Sequence, residues 1–303
     1  MEHFTYFLER NLSALYGELV SGNYRHGGYH HFLVNDNKRR LISVASIRDR
    51  VVHRLLYEFL VPIYDKTFIF DAWSCRENKG LIGAIERIKG FLRRYAKSFV
   101  WKADIAKFFD HVDHIVLKHI LSLKISDGKA LRLLGKVIKS YSISLMRERE
   151  RVASASKIGI PIGNLTSQIF ANIYLNELDR FVKHTIKPQA YLRYGDDFIV
   201  VEKNRQKLNR MRERIIHFIK EKLHLYLHPK NDIIMQEKDG LRFLGVVIFP
   251  QGRRLNKRNW QRARSKLNLH NNASYSGFVR KHSSVKRIRE FNWTLLEKLK
   301  SEL

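Results

Sequence analysis

The segment from Tyr191 to Val201 constrains this chain more than any other, because it places two adjacent acids between two apolar runs: Tyr-Leu-Arg-Tyr-Gly-Asp-Asp-Phe-Ile-Val-Val. The apolar runs predict two strands, and Gly195 between them favours a type II′ turn, which needs positive φ at its first central residue. Such a hairpin holds Asp196 and Asp197 at its tip. Adjacent acids repel each other, so the arrangement predicts a bound cation and a third acid elsewhere in the chain. The alternative is an ordinary hairpin with a polar turn.

An acid at the end of an earlier predicted strand is the candidate for that third partner. Residues 98 to 105 read Ser-Phe-Val-Trp-Lys-Ala-Asp-Ile, a buried strand with Asp104 at its end. A carboxylate in that position is costly unless it is paired or bound to a metal. The alternative is a helix N-cap, a common role for Asp where a helix follows. Nearby polar residues are predicted to be structural or surface residues, not metal ligands: Asp110, His111, Asp113 and His114.

The overall charge indicates a polyanionic partner. Lys and Arg number 57 against 29 Asp and Glu, which gives a formal net charge of +28 over 303 residues. Nucleic acid is the leading candidate. An anionic membrane surface is the alternative, but basic residues are spread along the whole chain and no amphipathic anchor helix stands apart.

The cysteine content and the hydropathy bound the cellular setting. The single cysteine, Cys75, excludes internal disulfides and thiolate-rich zinc sites and fits a reducing cytosol. No apolar run has transmembrane length, and the N-terminus lacks the pattern of a signal peptide. We therefore expect a cytoplasmic protein that does not bind a membrane.

Apolar periodicity and turn residues predict the elements around the acids. Strands at 29–34 and 39–45 predict a hairpin, and the stretch 241–248 predicts another strand or hairpin with a central glycine. Helical spacing is found over 4–19, 81–97, 115–150, 204–223 and after residue 168. A further helix should begin in the capping-box-like run at Ser46. Its buried stripe is predicted to be Val51, Leu55, Phe59 and Ile63.

Two basic regions are candidates for anion binding. The tip and return strand of the first hairpin carry Lys38, Arg39 and Arg40, and Arg48 lies on the first turn of the next helix. These cations can clamp a triphosphate, although a solvated edge strand is the alternative. From Arg253 to the C-terminus, 14 basic and 3 acidic residues give a net +11, interleaved with aromatic residues. That tail suits a duplex backbone, and the alternative is a solvated helical bundle with an aromatic core.

A loop rich in glycine and proline precedes the helix that begins near residue 165. It reads Lys-Ile-Gly-Ile-Pro-Ile-Gly-Asn-Leu-Thr-Ser-Gln from residue 157 to residue 168. Glycines before a helix start let a ligand approach exposed N–H groups closely. The alternative is a plain helix-entry loop.

Along the chain, the strand that ends at Asp104, the loop rich in glycine and proline, the hairpin with Asp196 and Asp197 and the stretch 241–248 follow one another. That order resembles the palm of a template-directed polymerase. Joining a 3′-hydroxyl to the α-phosphate of a nucleoside triphosphate is an in-line displacement, with charge on the attacking and leaving oxygens. Two Mg²⁺ ions about 4 Å apart stabilise both oxygens. Mg²⁺ needs few, hard carboxylate ligands, and acids that meet from separate strands supply them.

The chain resembles reverse transcriptases from about residue 28 to about residue 250. The segment from Asp104 to Phe109 is similar to the first palm motif of that family, Tyr194-Gly195-Asp196-Asp197 to its catalytic turn, and Phe243-Leu244-Gly245 to its primer grip. The resemblance implies an α+β right-hand architecture of fingers, palm and short helical thumb. Its expected parts are fingers at 1–100 with a contribution from 115–155, palm at 101–114 and 156–250, and thumb at 251–303.

The resemblance also implies a role for each matching residue. The expected catalytic residues are Asp104, Asp196 and Asp197. These three residues and Ile105 are the expected ligands of two Mg²⁺ ions, for which Mn²⁺ can substitute. Phe109 is the gate against the ribose 2′-hydroxyl, which implies deoxynucleoside triphosphates as substrates. Expected nucleotide-binding residues are Lys38, Arg39, Arg40, Arg48, Phe108, Phe109, Ile162 and Gly163. Expected primer or template contacts are Ser167, Gln168, Tyr194, Lys230, Phe243, Leu244 and Gly245.

One departure from the family pattern narrows the resemblance. Most relatives carry Gln-Gly-x-x-x-Ser-Pro before the palm helix, whereas residues 162–168 here read Ile-Gly-Asn-Leu-Thr-Ser-Gln. That variant, like the run Lys-Arg-Arg-Leu-Ile-Ser at 38–43, resembles the reverse transcriptases of diversity-generating retroelements. The resemblance implies copying of a template-repeat RNA into mutated cDNA, with errors chiefly opposite adenines. It also implies a small basic accessory protein and a prokaryotic or phage setting.

Two classes of alternative stay open. Within the enzyme class, the chain is a retron, group-II-intron-like or defence-associated reverse transcriptase. In another class, it is a non-catalytic nucleic-acid-binding scaffold with a decayed palm. The presence of all three acids in a protein of charge +28 argues against the scaffold, because a binding surface for nucleic acid has no use for them.

Overall fold

The computed structural model of the chain describes residues 2–35, 39–141, 158–268 and 271–302. The tip of the first hairpin, with Lys38, and part of the predicted helical stretch 115–150 lie outside these ranges. The N-terminal helices are α1 (Glu2–Tyr6), α2 (Leu8–Val20), α3 (Ile47–Tyr64) and α4 (Leu81–Arg94). The middle helices are α5 (Phe108–His111), α6 (His114–Ser122), α7 (Gly128–Lys139), α8 (Leu165–Arg180) and α9 (Arg205–Leu223). The last helices are α10 (Lys257–Ser265), α11 (Asn272–His282) and α12 (Val285–Glu302).

In the described part of the chain, three antiparallel sheets accompany the helices. The first is a hairpin of β1 (Tyr29–Asn35) and β2 (Arg39–Ala45). The second has the order β4-β5-β3-β6, built from β3 (Phe99–Asp104), β4 (Ala190–Tyr194), β5 (Asp197–Glu202) and β6 (Ile233–Gln236). The third has the order β7-β8-β9, built from β7 (Leu241–Phe243), β8 (Val246–Ile248) and β9 (Arg253–Leu255). The fold is therefore α+β with antiparallel sheets, as the sequence predicted.

The four-stranded sheet lies between two hydrophobic cores. Because side chains alternate along a strand, β3 sends Trp101 to one core and Val100 to the other, and β5 divides Phe198 and Ile199 in the same way. The first core contains the apolar side chains of α3, α8 and α9, and the second contains those of α4, the third sheet and the C-terminal helices. Burial on both faces explains why these strands are continuous apolar runs.

Helix α3 begins as predicted but buries a different face. The Ser46 hydroxyl accepts a hydrogen bond from the backbone N–H of Asp49 and caps the helix. The predicted stripe is wrong, because Val51, Leu55 and Phe59 are exposed by 37%, 51% and 38%. The buried stripe is shifted by one residue and consists of Val52, Leu56, Leu60 and Tyr64. This face packs against α8, whose own side chains are buried on nearly every side.

The C-terminal helices α10 to α12 confirm the predicted helical character of the basic tail. Trp260 is buried in the second core, and Tyr275 and Phe278 are partly buried against it. Trp293, in contrast, is 66% exposed. Most of the aromatic residues of this tail thus serve as its core, while its basic side chains cover the outside. No helix within the described ranges is long and apolar enough to cross a lipid bilayer.

Two buried histidines make the stability of the fold depend on pH. Burial, with the neighbouring His26, lowers the pKa of His53 from 6.5 to about 4, and burial beside Arg253 lowers that of His282 to about 4. Each histidine takes up its proton near pH 6.5 when unfolded but only near pH 4 when folded, so acid favours unfolding. We expect the free energy of unfolding, measured by urea denaturation, to fall as the pH drops from about 6.5 to about 4. His53→Gln should weaken that dependence, whereas His30→Gln, on the exposed surface of β1, should leave it unchanged.

Candidate active site

The pairing of β3 with β5 brings the first predicted acid to the other two. The antiparallel register ends with Asp104 directly opposite Asp197. Directly opposed residues project from the same face of a sheet, with Cβ atoms about 4.5–5.5 Å apart. The backbone N–H of Ile105 donates to the carbonyl oxygen of Asp196 at 3.2 Å, which ties the end of β3 to the turn. Acids separated by more than 90 residues therefore meet at one end of the sheet.

The turn between β4 and β5 is the two-residue hairpin that the sequence predicted. Tyr194 pairs with Asp197, and Gly195 and Asp196 form the loop between them. Gly195 has φ +64° whereas φ at Asp196 is not positive, the pattern of a type II′ turn. A residue with a Cβ is strained at such a φ, so glycine suits this position.

Asp104 is held by contacts that the sequence did not reveal. Its side-chain Oδ2 accepts a hydrogen bond of 2.7 Å from the Nδ2 of Asn231. Its backbone oxygen accepts another of 2.7 Å from the N–H of His228. Asp104 is the last residue of β3 and pairs with Asp197 of β5, and the N-cap position of α5 is occupied by Lys107. The alternative that Asp104 is a helix N-cap is therefore wrong. The carboxylate is thus oriented at a strand end and is nearly buried, at 8% exposure.

The donor set at this end of the sheet fits a hard divalent cation. Asp104 and Asp197 face each other, and Asp196 adjoins them, so the available ligands are carboxylate oxygens. Within the ranges described above, no three acidic, His or Cys side chains enclose an ion on their own. Mg²⁺ commonly takes only one or two protein carboxylates and completes its shell with water and phosphate oxygens, so the arrangement suits it. The side chain of Ile105 is buried, so only its backbone carbonyl oxygen could bind a metal ion. The role of Ile105 as a metal ligand stays a prediction.

Three of the polar residues after β3, His111, Asp113 and His114, make structural contacts. The side chain of Asp113 accepts hydrogen bonds from the N–H groups of Ile115 and Val116 and caps α6. His111 lies 3.1 Å from the carbonyl oxygen of Ala106. His114 is buried, 2.6 Å from the carbonyl oxygen of Gly159.

The loop before α8 is docked against the edge of β2. The carbonyl of Ile162 accepts from the N–H of Ser43 at 2.9 Å. The Asn164 side chain continues this pairing, because its Oδ1 accepts from the N–H of Ala45 and its Nδ2 donates to the carbonyl of Ser43. Gly163 has φ +111°, and a Cβ there would lie 2.7 Å from the side chain of Ile42. The loop therefore joins the basic hairpin to α8. Its sequence position did not indicate that the Asn164 side chain makes part of this connection.

The predicted cations of the first hairpin have different environments. Arg39 and Arg40 are exposed on β2, where they pair with Asn35 and Val34. Arg48 instead pairs with Glu18 and with Asp49 (3.1 Å), and its guanidinium lies over the Tyr24 ring. These contacts give Arg48 a structural role, and they do not support its predicted contact with a nucleotide. Lys38 lies outside the described residues.

Comparison with known proteins decides the family. Residues 34–248 match the family described as reverse transcriptase (RNA-dependent DNA polymerase). The chain belongs to the reverse transcriptase family. Protein YkfC of Escherichia coli (strain K12) is 26% identical over 271 residues, which cover 77% of this chain and 70% of that protein. The group II intron-encoded protein LtrA of Lactococcus lactis subsp. cremoris is 24% identical over 278 residues, which cover 71% of this chain and 45% of LtrA.

A solved structure carries the same fold. Telomerase from Candida albicans, determined with a fragment of telomeric RNA, superposes with a TM-score of 0.52 at 13% identity. The match covers 89% of this reverse transcriptase and 54% of the telomerase chain. At that identity the likeness concerns the fold alone.

The predicted sugar gate of this reverse transcriptase is half-buried. Phe109 packs edge-on against Phe108, with ring centroids 5.3 Å apart. Phe108 is enclosed in the first core beside Tyr174, so its side chain has no surface to offer a nucleotide. Burial therefore argues against a nucleotide contact by Phe108, and Phe109 is the ring of this pair that remains accessible.

The predicted primer and template contacts of the reverse transcriptase differ in exposure. Gln168 and Lys230 are exposed and Tyr194 is half-buried, whereas Ser167 and Phe243 are each 2% exposed. Burial argues against direct contact by Ser167 or Phe243. The remaining pair, Leu244 and Gly245, forms the turn between β7 and β8 with φ of +48° and +83°. The Nδ2 of Asn259 donates to the Gly245 carbonyl at 2.9 Å and ties this turn to α10.

Proposed function

We propose that this reverse transcriptase extends a primer on an RNA template with deoxynucleoside triphosphates. The observation that carries the proposal is the opposition of Asp104 and Asp197 across β3 and β5, with Asp196 at the adjoining turn. Two bound Mg²⁺ ions would supply charge stabilisation at the attacking and leaving oxygens. The three carboxylates would hold those ions, and Mn²⁺ would substitute for them. Asn231 keeps the Asp104 carboxylate oriented through its 2.7 Å hydrogen bond.

We assign the parts of the molecule accordingly. The palm comprises residues 101–114 and 156–250, which contain most of the four-stranded sheet, together with α8 and α9. The fingers comprise residues 1–100 with 115–155, and Arg39 and Arg40 on the fingers hairpin bind the triphosphate. The thumb comprises residues 251–303, whose basic helices hold the template and primer backbones. Gly245, at the turn that Asn259 fastens, contacts the primer strand.

A primer-extension assay tests the activity. Purified protein is given a primed RNA template and deoxynucleoside triphosphates, with Mg²⁺, with Mn²⁺ and with chelator. We expect extension that requires the divalent ion and disappears in Asp196→Ala. Nucleic-acid binding without extension under all these conditions would support the scaffold alternative instead.

We further propose that the chain is the reverse transcriptase of a diversity-generating retroelement. The support is the run Ile-Gly-Asn-Leu-Thr-Ser-Gln at 162–168. Its product would be error-prone cDNA copied from a template-repeat RNA, in a prokaryotic or phage-infected cytoplasm, with a small basic accessory protein as partner. A group-II-intron-like enzyme is the second candidate, which the similarity to LtrA favours. Sequencing cDNA made on the native RNA separates them, because errors concentrated opposite adenines are expected of the first alone.

The side chain at position 162 is expected to affect fidelity. Ile162 holds β2 through its backbone carbonyl, so Ile162→Gln changes the side chain without removing that hydrogen bond. A glutamine at this position restores hydrogen bonds near the nascent base pair. A mismatched pair that cannot make these hydrogen bonds binds less well, so discrimination against mismatches should rise about 10-fold or more. We expect less misincorporation on an RNA template, measured by sequencing the product. The control is Ile158→Gln in the same loop, and equal error rates in both variants would contradict the idea.

Substitution of the gate should change sugar selection. Phe109→Val shortens the half-buried ring and leaves room for a 2′-hydroxyl. We expect the preference for deoxynucleotides over ribonucleotides, as the ratio of kcat/KM values, to fall about 100-fold. Phe249→Val, near the far end of β8, is the control. An unchanged ratio in Phe109→Val would exclude position 109 as the gate.

A further inference from the structure

A buried arginine lies two residues before Gly195 of the catalytic turn. Arg193, on β4, is 1% exposed. A guanidinium in a protein core is costly unless a charged partner and hydrogen bonds satisfy it. Asp179 on α8, which is fully buried, accepts from its Nε at 2.8 Å and from its Nη2 at 2.6 Å. The Tyr191 hydroxyl donates to the same carboxylate at 2.8 Å.

The remaining nitrogen of this guanidinium reaches the catalytic turn. The Nη1 of Arg193 donates to the carbonyl oxygen of Gly195 at 3.0 Å and to the Oδ1 of Asn172 at 3.2 Å. Asn172 is itself fixed, because its Nδ2 donates to the carbonyl of Ser74 at 2.9 Å. Gly195 is the residue whose positive φ forms the turn, and its carbonyl belongs to the peptide bond that leads into Asp196. A rigid fork anchored on α8 thus holds the peptide next to the acids.

We propose that Arg193 is a positioning residue: through the Gly195 carbonyl it fixes Asp196 and Asp197 relative to Asp104 and thereby sets the affinity for the catalytic Mg²⁺. This inference rests on the proposed polymerase function. Pairing with Asp179 satisfies Nε and Nη2 and would suffice for a purely structural ion pair. Nη1 is the nitrogen of the fork that reaches beyond this ion pair, to the Gly195 carbonyl and to Asn172. Lysine cannot replace the fork, because its single ammonium cannot match that planar geometry.

The test compares two Arg→Lys variants of the full chain. Arg193→Lys keeps a positive charge beside Asp179 but removes the planar fork. Arg76→Lys is the matched control, because Arg76 also pairs with a carboxylate through Nε and Nη2, that of Asp65, and donates through Nη1 to a backbone carbonyl, that of Ile69. The readouts are hydrogen exchange of the metal-free protein, the Mg²⁺ concentration at half-maximal primer extension, and kcat and KM for the deoxynucleotide.

Distinct results are expected for the two variants. Arg193→Lys should speed exchange in the peptides around 104–106 and 194–198, where the N–H of Ile105 bonds to the Asp196 carbonyl. It should raise the half-saturating Mg²⁺ concentration about 5-fold or more and lower kcat about 10- to 100-fold, because small misplacements of catalytic groups have effects of that size. The KM for the deoxynucleotide should change less than about 3-fold. Arg76→Lys should show none of these shifts.

Other outcomes overturn the proposal or separate it from the proposed function. Unchanged exchange at 194–198 with unchanged Mg²⁺ dependence in Arg193→Lys would make Arg193 a structural residue only. If Arg193→Lys does not fold, Asn172→Ala takes its place, since it removes one partner of Nη1 and leaves Asp179 intact. Its exchange at 194–198 must then rise above that of the parent, or the proposal fails. A parent protein that does not extend primers refutes the polymerase proposal, while the exchange data still decide whether Arg193 holds the turn.

Discussion

Asp104→Asn is expected to lower the rate constant for nucleotide addition at least about 10³-fold, the equivalent of several kcal/mol of lost charge stabilisation. The substitution keeps the shape of the side chain, and the amide can still contact Asn231, so the strand end should retain its position. What is removed is the negative charge that faces Asp197. Single-turnover primer extension at saturating template, primer and deoxynucleotide measures the chemical step.

The control for this prediction comes from the same segment of chain. Asp113→Asn also replaces an acid by its amide, but Asp113 caps α6, and asparagine caps a helix about as well. We expect its rate constant to lie within about 3-fold of the parent value. Primer binding by both variants, measured by fluorescence anisotropy, should match the parent. A rate loss in Asp113→Asn comparable to that in Asp104→Asn would mean that any acid here matters only for folding.

The sequence predicted the catalytic hairpin because its signals are local. Glycine at the first position of a two-residue loop and apolar runs on both sides determine the turn and the strands without help from distant residues. The Ser46 cap of α3 and the strand that ends at Asp104 follow from short-range patterns of the same kind. The stripe of α3 could not be chosen in this way, since Val51 and Val52 begin two equally apolar series. Only the packing against α8 decides which series is buried.

The contacts that hold the acids in place have no local signal. Asn231 lies 127 positions after the acid that it contacts, and Asn164 pairs with a strand about 120 positions earlier. Arg193 carried a partial signal, because a charged residue inside an apolar strand requires a buried partner. Its partner, Asp179, lies on a different element, and nothing in the spacing of 14 residues identifies it. Such pairings depend on tertiary packing, so the identity of the acids could be predicted while their supports could not.

Asp179→Ala is expected to lower the free energy of unfolding by about 3–5 kcal/mol, because it leaves a guanidinium buried without its counter-ion. A loss of that size is a large fraction of the roughly 5–15 kcal/mol that stabilises a typical protein. The Tyr191 hydroxyl loses its acceptor as well. Urea denaturation followed by circular dichroism measures the change. Glu58→Ala removes an exposed partner of Arg54 and should cost less than about 0.5 kcal/mol.

A double substitution separates the two roles of this buried pair. Replacing both charges, as Asp179→Leu with Arg193→Met, removes the unpaired charge and should recover most of the lost stability, since an apolar pair of similar volume often substitutes well for a buried ion pair. Primer extension should nevertheless stay low, because methionine cannot donate to the Gly195 carbonyl. Activity that returned together with stability would show that the pair serves the core alone. Stability regained without activity would mean that the function of the buried pair is to position the neighbouring acids, and that it is not needed for the stability of the core.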